Sequence, residues 1–112
     1  MTEIWHNPRC SKSRETLALV EAKGPVTIRK YLEDAPSEAE LREVLGLLGI
    51  KAIDLVRKGE AAFKERGLSK DSTEDALIAA MVAVPKLIER PVVIANGQAR
   101  LGRPPASVLD IL

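Results

Sequence analysis

Three stretches of the chain alternate apolar and polar side chains or are rich in β-branched residues, a pattern that predicts short β-strands. They are residues 3–6, residues 26–31, and residues 92–95 followed by 98–101. The first stretch ends at Asn7-Pro8, which favours a turn. Asn96-Gly97 joins the last two segments and supplies the positive φ angles of a type I′ hairpin. The sequence therefore predicts four strands, the last two paired as a hairpin.

Helical spacing of apolar residues predicts helices between and after these strands. The first helix runs from Ser11 to Lys23, with Ser11 as N-cap and Gly24-Pro25 as the stop signal. A second helix begins with the capping-box pair Ser37 and Glu40 and ends before Gly49. Further helical segments are residues 53–57, 61–66, 73–84 and 104–112. The predicted order is β-α-β, a helical section, then β-β-α, with the first two strands parallel.

The size and composition of the chain fit a single soluble domain over residues 1–112. Apolar residues make up 46% and charged residues 29% of the sequence, which is typical of a globular protein. The formal net charge of +1 provides no overall basic field, so we expect neither nucleic acid nor an anionic membrane as a partner. The N-terminus shows no signal-peptide pattern and no apolar stretch is long enough for a membrane span, so a cytoplasmic location is expected.

Cys10 directly precedes the first predicted helix, and this position favours a reactive thiolate. The unpaired N–H groups and the positive end of the helix dipole stabilise an anion there. Arg9, Lys12 and Arg14 add neighbouring positive charges, and His6 can add a donor or a charge. The alternative is a buried cysteine that acts as a small hydrophobic residue. The basic neighbours favour the thiolate.

The neighbours of Cys10 also restrict its chemistry. The chain has one cysteine and one histidine, which excludes an internal disulfide and a structural Cys/His zinc site, so no metal is expected. A phosphatase of the Cys-x₅-Arg type needs arginine where this chain has Thr16, and a dithiol oxidoreductase needs cysteine where it has Ser13. The Ser13 hydroxyl can hydrogen-bond the thiolate but cannot resolve a disulfide. A second thiol must therefore come from another molecule.

Residues 6–17, His-Asn-Pro-Arg-Cys-Ser-Lys-Ser-Arg-Glu-Thr-Leu, resemble the nucleophile segment of glutaredoxin-coupled arsenate reductases. Segments similar to others in that family follow in the same order, at residues 31–33, 55–58, 89–94 and 100–104. The resemblance covers essentially the whole chain. It implies an α/β fold with a thioredoxin-like mixed sheet and a helical insertion, and it implies a cis-proline at Pro91.

The same resemblance implies the site residues. Cys10 would be the nucleophile, assisted by Ser13 and by His6, whose family counterpart helps to lower the thiol pKa. Arg57, Arg90 and Arg103 match the family positions that hold the oxyanion. Guanidinium groups suit this task because their forked donors and permanent charge fit the oxygens of a tetrahedral anion.

The activity implied by the resemblance is reduction of arsenate to arsenite without a bound cofactor. Cys10 would form a thioarsenate adduct, and glutathione would reduce the arsenic and leave a mixed disulfide. Glutaredoxin would then clear that disulfide and release arsenite. We expect a monomer. Two alternatives stay open: a thioredoxin-fold regulator that binds RNA polymerase, and a monothiol reductase of other disulfides.

Overall fold

A mixed four-stranded sheet organises the first of the two units into which the chain divides. The computed structural model describes residues 2–112, of which residues 2–34 and 90–112 form the first unit and residues 35–89 the second. The strands are β1 Thr2–Trp5, β2 Val26–Arg29, β3 Val92–Ala95 and β4 Gln98–Leu101. Their order is β2-β1-β3-β4, with β1 parallel to β2 and antiparallel to β3, which is antiparallel to β4. The predicted α/β class with a thioredoxin-like mixed sheet is confirmed.

One face of this sheet carries the hydrophobic core of the first unit. Helix α1, Ser11–Lys23, connects β1 to β2 and contacts a C-terminal 3₁₀ helix, Pro105–Ile111, which also contacts β4. The sheet and the two helices contribute the buried residues Ile4, Val20, Val93, Ala95, Val108 and Ile111. This packing holds α1 against the sheet. The loop at residues 6–10 therefore connects two elements, β1 and α1, that both belong to the packed core.

The β3–β4 hairpin brings two arginine-containing segments together. Asn96 and Gly97 have φ angles of 53° and 72°, which confirms the predicted type I′ turn. Val92 pairs with Leu101, so the residues just outside the hairpin are also opposite each other, and the Gly102 N–H donates to the Pro91 carbonyl at 2.9 Å. The Arg90–Pro91 bond is cis, as the resemblance implied, and so is Arg103–Pro104.

The second unit is helical. Its elements are α2 Glu38–Leu48, α3 Ala52–Leu55, α4 Ala61–Glu65, α5 Glu74–Ala83 and a 3₁₀ helix Pro85–Leu87. The predicted capping box is present, because Ser37 Oγ accepts from the Glu40 N–H at 3.1 Å and Glu40 Oε1 accepts from the Ser37 N–H at 2.9 Å. Helix α5 contacts α2 and α3. Within residues 2–112, no helix is both long enough and apolar enough to cross a bilayer.

Several element boundaries and one helix type differ from the sequence prediction. Cys10, not Ser11, is the N-cap of α1, and Ser11 is the first helical residue. Strand β2 ends at Arg29 because the Glu33 and Asp34 N–H groups turn back to the carbonyl of residue 30. Helix α3 ends at Leu55 because residue 56 forms a bridge with residue 88, so residue 57 is not helical. The helix predicted for residues 104–112 is a 3₁₀ helix.

Gly102 permits a close approach that we expect to be essential for stability. A Cβ at this position would lie 2.7 Å from Cγ of Pro91 and 2.9 Å from Cγ2 of Thr16, inside van der Waals contact with two buried residues. Gly102→Ala should therefore lower the free energy of unfolding by about 1–3 kcal/mol, measured by urea denaturation.

Gly46 provides the matched control for this substitution. It lies inside α2, and a Cβ there would meet nothing within 4 Å. Gly46→Ala should raise the free energy of unfolding by about 0.5–1 kcal/mol, because alanine is the better helix former. Equal stability of Gly102→Ala and the wild-type protein would contradict the packing described here.

Candidate active site

The loop between β1 and α1 is closed by hydrogen bonds that involve Asn7. The Asn7 carbonyl accepts from the Cys10 N–H at 3.0 Å, and Asn7 Oδ1 accepts from the Arg9 N–H at 3.0 Å. Arg14 Nη1 donates to the Pro8 carbonyl at 3.0 Å, which ties the first turn of α1 to the loop. These contacts fix Cys10 at the N-cap position, where its side chain faces the first N–H groups of the helix.

The electrostatic surroundings of Cys10 favour its thiolate. Burial of this half-buried side chain raises its pKa. Against that effect, the backbone N–H of Ser13, the charge of Arg90, the backbone N–H of Lys12 and the donor groups of the Arg90 side chain all lower the pKa. The lowering contributions are together larger, so the pKa of Cys10 lies below its ordinary value of 9.0.

His6 and Ser13 form a buried hydrogen-bonded pair beside this loop. His6 is 5% exposed, and its Nδ1 lies 2.7 Å from Oγ of the fully buried Ser13. Burial lowers the pKa of His6, the charges of Lys30 and Arg14 lower it further, and only Glu21 acts to raise it. His6 is therefore neutral at pH 7, so of the two roles considered for it, hydrogen bonding fits the structure better than positive charge.

Ser13 acts on Cys10 through its backbone N–H. Its N–H is one of the donors that lower the Cys10 pKa, whereas its hydroxyl accepts from the Asn7 N–H at 3.0 Å and bonds to His6. A direct bond from this hydroxyl to the thiolate stays a prediction. The hydroxyl joins the end of β1 to α1, so Ser13 helps to position Cys10.

Arg90 and Arg103 are brought together by the hairpin. Arg103 Nη1 donates to the Arg90 carbonyl at 3.2 Å, and the Arg90 side chain acts directly on Cys10. Arg103 is exposed, so its guanidinium can reach a ligand from solvent. The first unit thus contains a thiol, an arginine that lowers its pKa, and a second arginine that donates to the carbonyl of the first.

Arg57 belongs to the second unit. Its backbone is held by a bond from its N–H to the Leu87 carbonyl at 2.7 Å. Its Nη1 lies 2.7 Å from Glu60 Oε1 and donates to the carbonyl of residue 86 at 3.4 Å. The role of Arg57 in anion binding stays a prediction.

Two features of the site were not predicted from sequence. Arg90 was assigned to the oxyanion, yet it is also the cation that lowers the pKa of Cys10, a contact between residues 80 positions apart (90 − 10) that no local pattern reveals. Asn7 closes the loop, and its signal was available, because Asn before Pro favours turns closed by side-chain hydrogen bonds. Within residues 2–112 there is no group of three or more His, Cys, Asp or Glu side chains placed to hold a metal ion.

Loss of Arg90 should make the Cys10 thiol harder to ionise. In Arg90→Gln the charge and forked donor are gone, so the pH midpoint for alkylation of Cys10 by iodoacetamide should rise by about 0.5–1 unit. Arg9→Gln is the control, since it removes the same charge from an exposed residue next to Cys10. An unchanged midpoint in Arg90→Gln, or an equal rise in Arg9→Gln, would refute the assignment.

The buried neutral His6 should make the protein sensitive to mild acid. In the unfolded chain this residue titrates near 6.5, and in the folded protein its pKa is lower. Between these two pKa values the unfolded state binds more protons than the folded state. As pH falls below about 6.5, the free energy of unfolding therefore falls by up to about 1.4 kcal/mol per pH unit. His6→Asn keeps a polar group near the Nδ1 position and should remove this component of the slope. Parallel slopes for the two proteins would show that His6 contributes nothing to it.

Comparison with known proteins agrees with these features. A protein of Escherichia coli strain K12, uncharacterized protein YfgD, is 51% identical over 113 residues, covering 98% of this chain and 95% of that protein. The arsenate reductase of Neisseria meningitidis serogroup A is 41% identical over 113 residues, covering 98% of this chain and 97% of that protein. The structure of arsenate reductase from Vibrio cholerae superposes with a TM-score of 0.95 at 50% identity, and the match covers 99% of this chain and 97% of that one.

A family-level match covers nearly the same span. The family model described as the ArsC family matches residues 5–111, which include the cysteine loop, the helical second unit and the β3–β4 hairpin. With this match and these identities, the chain belongs to the ArsC family.

Proposed function

We propose that this protein reduces arsenate to arsenite, with Cys10 as its nucleophile and glutathione and glutaredoxin as external thiols. The observation that carries the proposal is the action of the Arg90 guanidinium on Cys10, which helps to lower the pKa of the thiol. The same guanidinium is the group that we propose for anion binding. Membership of the ArsC family and similarity to arsenate reductases of other bacteria support arsenate as the anion.

The first step joins the Cys10 sulfur to arsenic. The thiolate attacks the arsenic atom, an S–As bond forms, and an arsenate hydroxyl accepts a proton and leaves as water. Two negative groups must approach each other here, so the guanidinium groups of Arg90 and Arg103 lower the repulsion and hold the oxygens. Arg57 is the third proposed ligand of the anion. None of these steps needs a bound cofactor.

The second step transfers two electrons to arsenic. A glutathione thiolate attacks Cys10 Sγ, an S–S bond forms, and the S–As bond breaks with its electron pair on arsenic. Arsenic(V) becomes arsenic(III), which takes up protons from solvent, while the two sulfurs are oxidised to a mixed disulfide. Because the S–As bond is then broken, arsenite leaves in this step and not with glutaredoxin, which differs from the order that the resemblance implied. Because the chain has a single cysteine, a thiol of another molecule must then remove the glutathionyl group by thiol–disulfide exchange, and glutaredoxin is the one we propose.

A coupled assay tests the proposal through its nucleophile. Arsenate-dependent consumption of NADPH, measured with glutathione, glutathione reductase and glutaredoxin, should be observed with the wild-type protein and should vanish in Cys10→Ser. Turnover that persists in Cys10→Ser would refute the mechanism. Activity on a glutathione mixed disulfide without any on arsenate would favour the monothiol-reductase alternative.

The arginines are tested in the same assay by lysine substitution, which keeps the charge but removes the forked donors. Arg90→Lys and Arg103→Lys should each raise the KM for arsenate about 10-fold or more. Arg66→Lys, at the exposed end of α4, is the matched control and should leave the KM unchanged. Equal KM values in all three variants would remove these arginines from the anion site.

A further inference from the structure

Thr16 is a buried polar residue to which the reaction described above assigns no role. It lies in α1 and is 0% exposed, and its hydroxyl donates to the Lys12 carbonyl one turn earlier at 2.7 Å. Threonines inside helices commonly bond to a preceding carbonyl, and such a bond by itself is only structural. Two observations connect this one to Cys10.

The carbonyl that accepts from Thr16 belongs to the same peptide group as the Ser13 N–H. In a trans peptide the C=O and N–H point in opposite directions, so in α1 this N–H points back toward the start of the helix. Cys10 is the N-cap there, and Ser13 is the third helical residue, whose N–H faces an N-cap side chain. Among the groups that lower the pKa of Cys10, the Ser13 N–H has the largest effect. Thr16 and Cys10 therefore lie at opposite ends of one peptide group.

A hydrogen bond to the carbonyl of a peptide group makes the N–H of that group a better donor. The bond draws electron density toward the oxygen and leaves the N–H more positive, and the strengthening amounts to about 10–30% per bond. A charged acceptor gains more from this change than a neutral one. The Thr16 hydroxyl therefore favours the thiolate of Cys10 over its thiol.

The segment after β4 restricts the Thr16 side chain to this arrangement. A Cβ at Gly102 would overlap Thr16 Oγ1 and would lie 2.9 Å from Thr16 Cγ2, so the Cα of the glycine faces both branches of the threonine. Threonine in a helix divides between two χ1 rotamers, and packing on both branches restricts rotation between them. Gly102 precedes Arg103, and its N–H bonds to the carbonyl of Pro91, which follows Arg90. The same contact therefore joins α1 to the segments that carry the two arginines.

We propose that Thr16 is a positioning residue for the nucleophile, because its hydroxyl orients and polarises the peptide group whose N–H stabilises the Cys10 thiolate. Thr16 acts through this peptide group and not by contact with the reacting atoms. The inference rests on the proposed function only in taking Cys10 as the nucleophile, and its test requires no arsenate.

Two substitutions separate the hydroxyl from the shape of the side chain. Thr16→Val keeps the branched shape and removes the hydroxyl, whereas Thr16→Ser keeps the hydroxyl and removes the methyl group. Cys10 is alkylated with iodoacetamide over a series of pH values, and the midpoint and the plateau rate constant are measured. The titratable and charged residues around Cys10 are the same in every variant: His6, Arg9, Lys12 and Arg14 from its own segment, and Arg90 and Arg103 from the segments that flank the hairpin.

Removal of the hydroxyl should make Cys10 harder to ionise. In Thr16→Val the midpoint should rise by about 0.2–0.5 unit, so that about 1.5- to three-fold less thiolate is present at lower pH. Thr16→Ser should leave the midpoint unchanged, and so should the matched control Thr27→Val, which removes a hydroxyl from an exposed residue of β2. An unchanged midpoint in Thr16→Val would overturn the proposal. An equal rise in Thr16→Ser would also overturn it, because the effect would then come from packing.

The plateau rate constant separates ionisation from access to the sulfur. Well above the midpoint the thiolate is fully formed, and thiolates of higher pKa are the better nucleophiles. Thr16→Val should therefore react there at least as fast as the wild-type protein. A lower plateau would show that the approach to Cys10 is obstructed, which contradicts an effect on ionisation alone.

The amide proton of Ser13 tests the route by which Thr16 acts. A proton in a weaker hydrogen bond resonates at higher field, so above the midpoint the Ser13 amide signal should move upfield in Thr16→Val and keep its position in Thr16→Ser. A raised midpoint with an unmoved Ser13 signal would overturn the route through this peptide group.

These outcomes do not depend on arsenate turnover. A raised midpoint in Thr16→Val of a protein without arsenate turnover would support the role of Thr16 while the proposed substrate failed. Arsenate turnover with an unchanged midpoint would support the substrate while the role of Thr16 failed.

Discussion

Stabilisation of a negative charge on Cys10 is the interaction on which the rest of the site depends. A half-buried thiol is harder to ionise than one in water, and here two backbone N–H groups at the start of α1, together with Arg90, outweigh that cost. The Asn7 turn, the packing of α1 on the sheet and the β3–β4 hairpin each hold one of these groups in place. These parts of the fold therefore act together to favour ionisation of one sulfur.

Much of this arrangement follows from local sequence signals. The Asn96-Gly97 turn, the Ser37–Glu40 capping box and the span of α1 were all predicted, because each depends on residues close together in the chain. What sequence patterns missed depends on distant partners. Helix α3 ends early because residue 56 forms a bridge with residue 88. Gly102 packs tightly against Thr16 of α1 and against Pro91, which directly precedes β3. The effect of Arg90 on Cys10 likewise joins residues that are far apart in the chain.

The surroundings of Cys10 also determine what must come from outside. Ser13 stands where a dithiol enzyme has its second cysteine, and its hydroxyl is bonded to a neutral His6 and to the Asn7 N–H. This pair links the end of β1 to α1 but supplies neither a second thiol nor a positive charge. The positive charge comes from Arg90, and the second thiol must come from another molecule.

The most direct test of single-cysteine chemistry is to stop the reaction before glutaredoxin acts. The protein is incubated with arsenate and glutathione, without glutaredoxin, and the intact chain is analysed by mass spectrometry. We predict one glutathionyl group on Cys10 per chain, formed only when arsenate is present and accompanied by an equal amount of arsenite. Arsenite formation with Cys10 unmodified, or glutathionylation at the same rate without arsenate, would contradict the account.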